Sequence, residues 1–276
     1  MPISRLTEAF ARAKSENRAA LVAYVMAGDP SLESCAAILD GLPAAGVDVI
    51  ELGFPFTDPM ADGPSIQRAG IRALKNGTTL RKALTLVQAF RVKHPKTALI
   101  LMGYLNPVET FGYGEFSKEA ALAGVDGAII VDAPPEEDGE LRAAMAEQDL
   151  ALIRLVTPTT NAKRLATLLE GVTGFIYYVS VAGITGDKSI DTADIAQAVG
   201  QVRLASPLPV AVGFGIKTPE AAASTAKIAD GVVVGSALVD VIAKAYETGQ
   251  DGAQAGAEFC QSLSRAIMGA RLEPNA

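Results

Sequence analysis

Residues 47–67 read VDVIELGFPFTDPMADGPSIQ. A short apolar run, Val47–Leu52, is followed by Gly53 and a loop rich in proline and aspartate, and a helix is expected to begin near Pro64. A strand that leads into a helix is the repeating unit of proteins built on a parallel sheet. The stretch therefore predicts a β/α unit with a long loop at the carboxyl end of its strand.

Seven further apolar runs lie along the chain, separated by segments with helical periodicity. The eight predicted strands are Leu21–Met26, Val47–Leu52, Ala98–Gly103, Val125–Val131, Leu150–Val156, Phe175–Val179, Pro209–Val212 and Gly231–Val234. Eight units in about 230 residues favour a closed barrel over an open sheet. We expect residues 1–276 to form a single α/β domain, a (β/α)8 TIM barrel, with an extra N-terminal helix near Ile3–Ser15 and a long insertion, Gly53–Thr97, after strand 2.

Composition and charge narrow the class of protein. Hydrophobic residues make up 49% of the chain but aromatic residues only 5%, a composition that suits buried parallel strands. The net charge is -7 and no basic cluster stands out, so we expect neither nucleic-acid nor membrane binding. Cys35 and Cys260 lie far apart in predicted helices, which suggests no disulfide framework. Without a signal peptide pattern or a long apolar window, the chain is expected to be cytoplasmic.

Glu51 is the first candidate for chemistry. Strand alternation places it on the same face as Val47 and Val49, at the carboxyl end of the strand, so that it points into an apolar barrel mouth. Burial there raises the pKa of a carboxyl group towards neutrality, unless a cation keeps it ionised. The alternative interpretation is a structural ion pair or a cap on a neighbouring loop.

Asp62 lies in the loop that follows the same strand. It could cap the helix expected near Pro64, or it could provide, with Glu51, the pair of carboxyl groups that general acid and base chemistry requires. His94, the single histidine, lies at a polar helix end on the opposite face of the barrel, so we expect no catalytic role for it. Metal-dependent sugar-phosphate epimerases need histidine and carboxylate ligands that the sequence lacks, so no metal is expected.

Glycine-rich turns follow the last two predicted strands and indicate a phosphate site. Gly215 follows the seventh strand, and Gly235 and Ser236 follow the eighth, where barrels often bind phosphate through backbone N–H groups. Gly186, in the loop after the sixth strand, could add another N–H group. The substrate is therefore expected to carry a phosphate.

The few aromatic residues are candidates for a flat apolar pocket. Tyr24 lies on the first strand, Tyr104 follows the third, Tyr177 lies on the sixth and Phe214 lies in the turn after the seventh. Filling of the core is the alternative for each. For Tyr178 the core is preferred, since alternation sends it towards the helices if Tyr177 faces inward.

The segment Glu51–Gln67 resembles the signature of the tryptophan synthase alpha-chain family, which is long and specific. The resemblance extends, in the family's order, from about Leu21 to Ser236. Its supporting blocks are Gly28–Pro30, Met102–Pro107, Gly183–Gly186 and Gly213–Ile216.

The resemblance implies a retro-aldol cleavage of indole-3-glycerol phosphate into indole and glyceraldehyde 3-phosphate. Glu51 matches the family's general acid and base, and Asp62 its second catalytic carboxylate, which accepts the indole N–H. The family's phosphate contacts map onto Gly186, Gly215, Gly235 and Ser236, and its indole pocket onto Tyr24, Tyr104, Tyr177 and Phe214. Thr185 matches a threonine that positions the aspartate when the sixth loop closes. Some family members carry an arginine in that loop. This chain reads Ser180-Val181-Ala182 there and has no arginine at that place.

The resemblance also implies a partner. Family members pair with a beta subunit, expected as an alpha2beta2 complex, through loops that here include Asp58-Pro59 and Asn106-Pro107, and indole passes to that subunit. Pyridoxal phosphate would belong to the beta subunit, so no cofactor is expected in this chain. The alternatives are a standalone lyase that releases free indole, and a non-catalytic barrel in which replacing Glu51 has no effect.

Overall fold

The computed structural model describes residues 5–180, 192–213 and 215–271. Within these ranges nine strands form one sheet, and each pair of neighbouring strands is parallel. The strands are β1 Ala20–Met26, β2 Val49–Gly53, β3 Ala98–Gly103, β4 Gly127–Ile130, β5 Ala151–Leu152, β6 Arg154–Val156, β7 Ile176–Val179, β8 Val210–Gly213 and β9 Gly231–Val234. Their order in the sheet is β5-β4-β3-β2-β1-β9-β8-β7-β6.

The sheet curls into a nearly closed barrel. Its two edge strands, β5 and β6, follow one another in the chain and are separated only by Ile153. The strand predicted over Leu150–Val156 is therefore two short strands, one at each edge of the sheet. The predicted (β/α)8 barrel is confirmed, with its fifth strand divided.

Helices cover the outside of the barrel. Those that the structure describes are α1 Arg5–Ser15, α2 Leu32–Gly41, α3 Pro64–Lys75, α4 Leu80–Lys93, α5 Leu105–Phe111, α6 Tyr113–Ala123, α7 Gly139–Glu147, α8 Ala162–Leu168, α9 Thr192–Ala205, α10 Pro219–Ala226, α11 Ser236–Glu247 and α12 Gly252–Gly269. The insertion after β2 contains α3 and α4, and α3 begins at Pro64, where the sequence predicts a helix.

The extra N-terminal helix, α1, closes the amino-terminal end of the barrel. Leu6 and Phe10 on its buried face pack into the cluster formed by inward-facing strand residues such as Val22, and the Phe10 ring lies 5.2 Å from the ring of Phe175. Because α1 fills this end, the opposite end is left for a ligand.

Three strands begin directly after an aspartate, and we call these residues the strand-start aspartates. Each accepts a hydrogen bond of 2.8 to 2.9 Å from a backbone N–H group of the neighbouring strand and pairs with an arginine. The sets are Asp48 with Leu21 and Arg18, Asp126 with Leu99 and Arg5, and Asp230 with Val210 and Arg203. Asp48 and Asp126 lie within the predicted strands, but the observed strands β2 and β4 begin directly after them, two residues later than predicted.

Several sequence expectations concern single residues away from the barrel mouth. His94 lies at the end of α4, where its Nε2 is 3.2 Å from Asp40 Oδ1 and its ring stacks on Phe90. Cys35 and Cys260 are buried and unpaired in α2 and α12. No helix among the described residues is long and apolar enough to cross a membrane.

Candidate active site

The carboxyl ends of the strands surround a cavity of about 420 Å³. Its walls come from five strands, β1, β2, β3, β7 and β9, from the loop before α3 and the start of that helix, and from the turns before α10 and α11 together with part of α11. Seven residues singled out in the sequence line it: Tyr24, Glu51, Asp62, Tyr177, Gly215, Gly235 and Ser236. Residues widely separated in the chain thus meet in one cavity.

Glu51 is buried in the wall of this cavity, with only 1% of its surface exposed. It lies on β2 between Tyr24 of β1 and Ile100 of β3. Its Oε2 atom has no hydrogen-bond partner among the residues that the structure describes. Burial raises the pKa of Glu51 to about 8, and no cation among the described residues counteracts this shift. No salt bridge among the described residues includes Glu51, so the ion-pair interpretation is wrong for that part of the chain, and burial favours the protonated carboxyl group.

Tyr24 and Tyr177 stand beside Glu51. Burial is the largest cause of the raised pKa of both phenols. Negative charge on Asp62 and then on Glu51 would raise the pKa of Tyr24 further, and negative charge on Glu51 would do the same for Tyr177. Both rings depend on glycines at strand ends: a Cβ atom added to Gly53 would lie 2.1 Å from Tyr24 Oη, and one added to Gly213 would lie 2.3 Å from Tyr177 Oη. The glycines therefore give the two tyrosines room inside the barrel.

Tyr178 faces the other way, as alternation along β7 predicts. It is 3% exposed and packs with Val199 and Val202 of α9. Tyr177 and Tyr178 therefore divide between the cavity and the layer beneath the helices.

Asp62 is held by Tyr104. Tyr104 Oη donates a hydrogen bond of 2.8 Å to Asp62 Oδ1 and accepts one of 3.0 Å from the backbone N–H of Ala61. The residue at the N-cap of α3 is Gly63, which makes no side-chain cap. The capping interpretation of Asp62 is therefore wrong, and its carboxylate is turned towards the cavity instead.

The environment of Asp62 differs from that of Glu51. Burial raises the pKa of Asp62, but the hydrogen bond from Tyr104 lowers it, because the phenol stabilises the ionised form. Tyr104 is not among the described residues that line the cavity, and its ring packs against Phe56 with centroids 5.5 Å apart. It thus contacts the loop that carries Asp62.

The N-terminus of α11 lines the cavity. Gly235 is the N-cap of this helix and Ser236 its first residue. Gly215, in the turn after β8, also lines the cavity and has a φ of 82° that favours glycine. Helix N-termini present free N–H groups and a partial positive charge, so this part of the cavity, here called the anion end, suits an anion.

Some candidates fall outside the part of the chain that the structure describes. They are Thr185, Gly186 and Phe214, together with Val181, where the sequence departs from the family pattern.

The cavity also contains residues that the sequence analysis missed. Met102 and Val233 face inward on β3 and β9, and strand alternation could have identified both. Ile66 on α3, and Lys217 and Asp240 near the anion end, also line the cavity, but no periodicity points to them.

Comparison with known proteins decides the family. A family model described as tryptophan synthase alpha chain matches residues 10–268. The chain belongs to the tryptophan synthase alpha-chain family. Tryptophan synthase alpha chain catalyses the cleavage of indole-3-glycerol phosphate, a lyase reaction of tryptophan biosynthesis, and this is the activity of the chain.

Individual relatives cover nearly the whole chain. The tryptophan synthase alpha chain of Phenylobacterium zucineum is 55% identical over 271 residues, 98% of each chain, and that of Caulobacter sp. strain K31 is 54% identical over 273 residues, 99% of each. The crystal structure of the alpha subunit from Legionella pneumophila is 41% identical, with a TM-score of 0.90, covering 96% of this chain and 98% of the other. Tryptophan synthase from M. tuberculosis is 34% identical, with a TM-score of 0.86.

The protonation of Glu51 makes stability depend on pH. Below about pH 4.5 both the folded and the unfolded chain hold this proton; between 4.5 and about 8 only the folded chain keeps it. The free energy of unfolding of the parent therefore falls over this range, whereas Glu51→Gln loses this dependence. Relative to the parent, the variant should gain roughly 3 kcal/mol between pH 5 and 8, at most about 1.4 kcal/mol per pH unit.

Urea unfolding at pH 5, 6.5 and 8 measures this difference. Glu137→Gln, which replaces an exposed glutamate in the loop after β4, should show no such trend. A difference between Glu51→Gln and the parent that stays constant with pH would mean that Glu51 is ionised in the folded chain.

Proposed function

We propose that Glu51 and Asp62 share the work of a retro-aldol cleavage of indole-3-glycerol phosphate. The observation that carries this proposal is the buried Glu51 carboxyl group, whose pKa burial raises to about 8, in a cavity that Gly215, Gly235 and Ser236 also line. A carboxylic acid in an apolar wall can give a proton to carbon and take one back.

The proton balance of the reaction needs only one shuttling group. Protonated Glu51 gives its proton to indole C3, which converts the ring to its cationic indolenine form. The bond between C3 and the glycerol carbon then breaks, its electrons return to the ring, and the glycerol hydroxyl becomes the aldehyde of glyceraldehyde 3-phosphate. Glu51, now a carboxylate, takes the proton of that hydroxyl, so the acid is regenerated as indole is released.

Asp62 is proposed to stabilise the positive charge that develops on the ring nitrogen. Its carboxylate would accept the indole N–H, and a fixed negative charge beside that atom favours the transition state over the substrate. Tyr104 would act as a positioning residue, since its hydrogen bond fixes Asp62 Oδ1. The two carboxyl groups thus need different protonation states. Burial raises the pKa of both, and the hydrogen bond from Tyr104 opposes that shift for Asp62 alone.

The ends of the cavity suggest how the substrate lies. The phosphate would lie on backbone N–H groups of Gly215, Gly235 and Ser236, and the indole would lie beside Tyr24 and Tyr177. Thr185, Gly186 and Phe214 are proposed to complete the site, by the resemblance of their motifs to the family.

Replacing either carboxyl group tests the proposed roles. We expect Glu51→Gln and Asp62→Asn each to lower kcat by at least about 100-fold, because each removes a positioned proton-transfer or charge-stabilising group. Tyr104→Phe should lower it by a smaller factor, roughly tenfold, because Asp62 keeps its charge but loses its hydrogen bond. Indole release from indole-3-glycerol phosphate measures all three.

Two controls accompany these variants. Circular dichroism should show that each variant folds like the parent, and Glu137→Gln should retain parental activity because Glu137 is exposed outside the cavity. Activity of Glu51→Gln within a few-fold of the parent would support the non-catalytic alternative.

The pH dependence of kcat/KM tests the protonation states. Because the reaction starts from protonated Glu51, kcat/KM should fall as pH rises through about 8. It should also fall at acid pH, where Asp62 becomes protonated. An activity that keeps rising above pH 9 would show that the reaction starts instead from ionised Glu51.

The family implies a beta-subunit partner, and we propose an alpha2beta2 complex in which indole passes directly to that subunit. The proposed contact loops lie at the same end of the barrel as the cavity: Asp58 is exposed after β2, and Asn106 is exposed at the start of α5. Met60, beside Asp58, is 80% exposed, which suits an apolar contact with a partner.

Adding the beta subunit separates the paired enzyme from a standalone lyase. We expect the beta subunit to stimulate indole release by the isolated chain, and Met60→Glu to weaken that stimulation without changing the activity of the chain alone. Rapid turnover by the chain alone, with no stimulation, would favour the standalone lyase.

We propose that this complex works in the cytoplasm, consistent with two buried and unpaired cysteines. Pyridoxal phosphate is proposed to belong to the beta subunit, with no cofactor in this chain.

A further inference from the structure

We propose that the side chain of Lys217 binds the phosphate group of the substrate, in addition to the backbone N–H groups at that end of the cavity. This inference rests on the proposed function, since it concerns the anion end of the same site.

The position of Lys217 is fixed by its neighbours in the chain. Ile216 before it is 7% exposed and packs in the hydrophobic core, and Thr218 after it is the N-cap of α10, whose side chain accepts a hydrogen bond from Ala221 N–H. Gly215 forms the turn that leads out of β8. The backbone of Lys217 is therefore held by its neighbours, and this exposed residue lines the same cavity as Gly215, Gly235 and Ser236.

Local structure gives no other reason for a lysine here. A positive charge just before a helix is unfavourable, because the N-terminus of α10 already carries partial positive charge. Within the described residues Lys217 makes no salt bridge or hydrogen bond. An exposed lysine that neither stabilises its helix nor pairs with a carboxylate is available to a ligand.

The charges around the cavity favour such a role. A phosphate monoester carries a charge of about -1.5 to -2 at pH 7, whereas a helix N-terminus supplies only about +0.5. Lys217 is the one basic residue among the described residues that line the cavity; the charged others are Glu51, Asp62 and Asp240. Asp240 is already paired, since it accepts hydrogen bonds from Ser65 and Arg68. The ammonium group of Lys217 therefore provides the remaining positive charge.

Binding of glycerol 3-phosphate to the full chain tests this role without turnover. Calorimetry should show that Lys217→Gln raises the Kd about tenfold, the order expected for the loss of one charge-assisted hydrogen bond, while Lys217→Arg stays near the parent. The matched control is Lys227→Gln, which removes the same charge from the exposed other end of α10 and should leave the Kd unchanged. Raising the salt concentration should weaken binding more for the parent than for Lys217→Gln.

Kinetics of indole-3-glycerol phosphate cleavage supply the second measurement. Lys217→Gln should raise KM by a similar factor with kcat within about twofold of the parent, because a contact made equally to substrate and transition state affects binding alone. Indole, which has no phosphate, should bind equally to the parent and to Lys217→Gln.

Three outcomes would overturn the inference: an unchanged Kd in Lys217→Gln, an equal loss in Lys227→Gln, or a parent that does not bind glycerol 3-phosphate. A different result would contradict the proposed function. A parent that binds glycerol 3-phosphate through Lys217 but releases no indole would contradict the reaction and support the phosphate contact.

Discussion

The burial of one carboxyl group without a cation beside it is the constraint on which this site depends. An ionised carboxylate in the position of Glu51 would lose most of its hydration, so the folded chain keeps the proton at a pH where glutamate in water has lost it. A basic residue in contact would remove this property. The basic residue among the described residues that line the cavity, Lys217, follows the Gly215 turn and forms no salt bridge with Glu51.

The two carboxyl groups show how different surroundings give different chemistry to the same functional group. Glu51 projects from a strand among apolar and phenolic side chains, whereas Asp62 lies in a loop and accepts a hydrogen bond from Tyr104. Burial raises the pKa of both carboxyl groups, but only that of Asp62 is opposed by a hydrogen bond, the one that Tyr104 donates. Rigid strands set the direction of Glu51; a single tyrosine sets that of Asp62.

Much of this could be predicted from the sequence, because strand alternation and turn composition are local properties. Alternation correctly placed Glu51 and Tyr177 inside the barrel and Tyr178 beneath the helices. The partner of Asp62 could not be found this way, because Tyr104 is 42 residues away and a hydrogen bond between loops depends on tertiary packing. The break at Ile153 was missed for a related reason: an apolar run shows that a segment is buried, but not whether it stays in one sheet. Lys217 was overlooked because a lone lysine near a helix start resembles any other exposed residue.

The strand-start aspartates lie at the end of the barrel away from the cavity. Hydrogen bonds and ion pairs join neighbouring strands there, and α1 packs into the same end of the barrel. The loops around the cavity therefore do not have to hold these strands together. Rim segments could consequently diverge, or be exchanged between homologues, while the scaffold beneath them persists. For enzyme engineering, this makes the aspartate–arginine end the part to preserve and the rim the part to randomise.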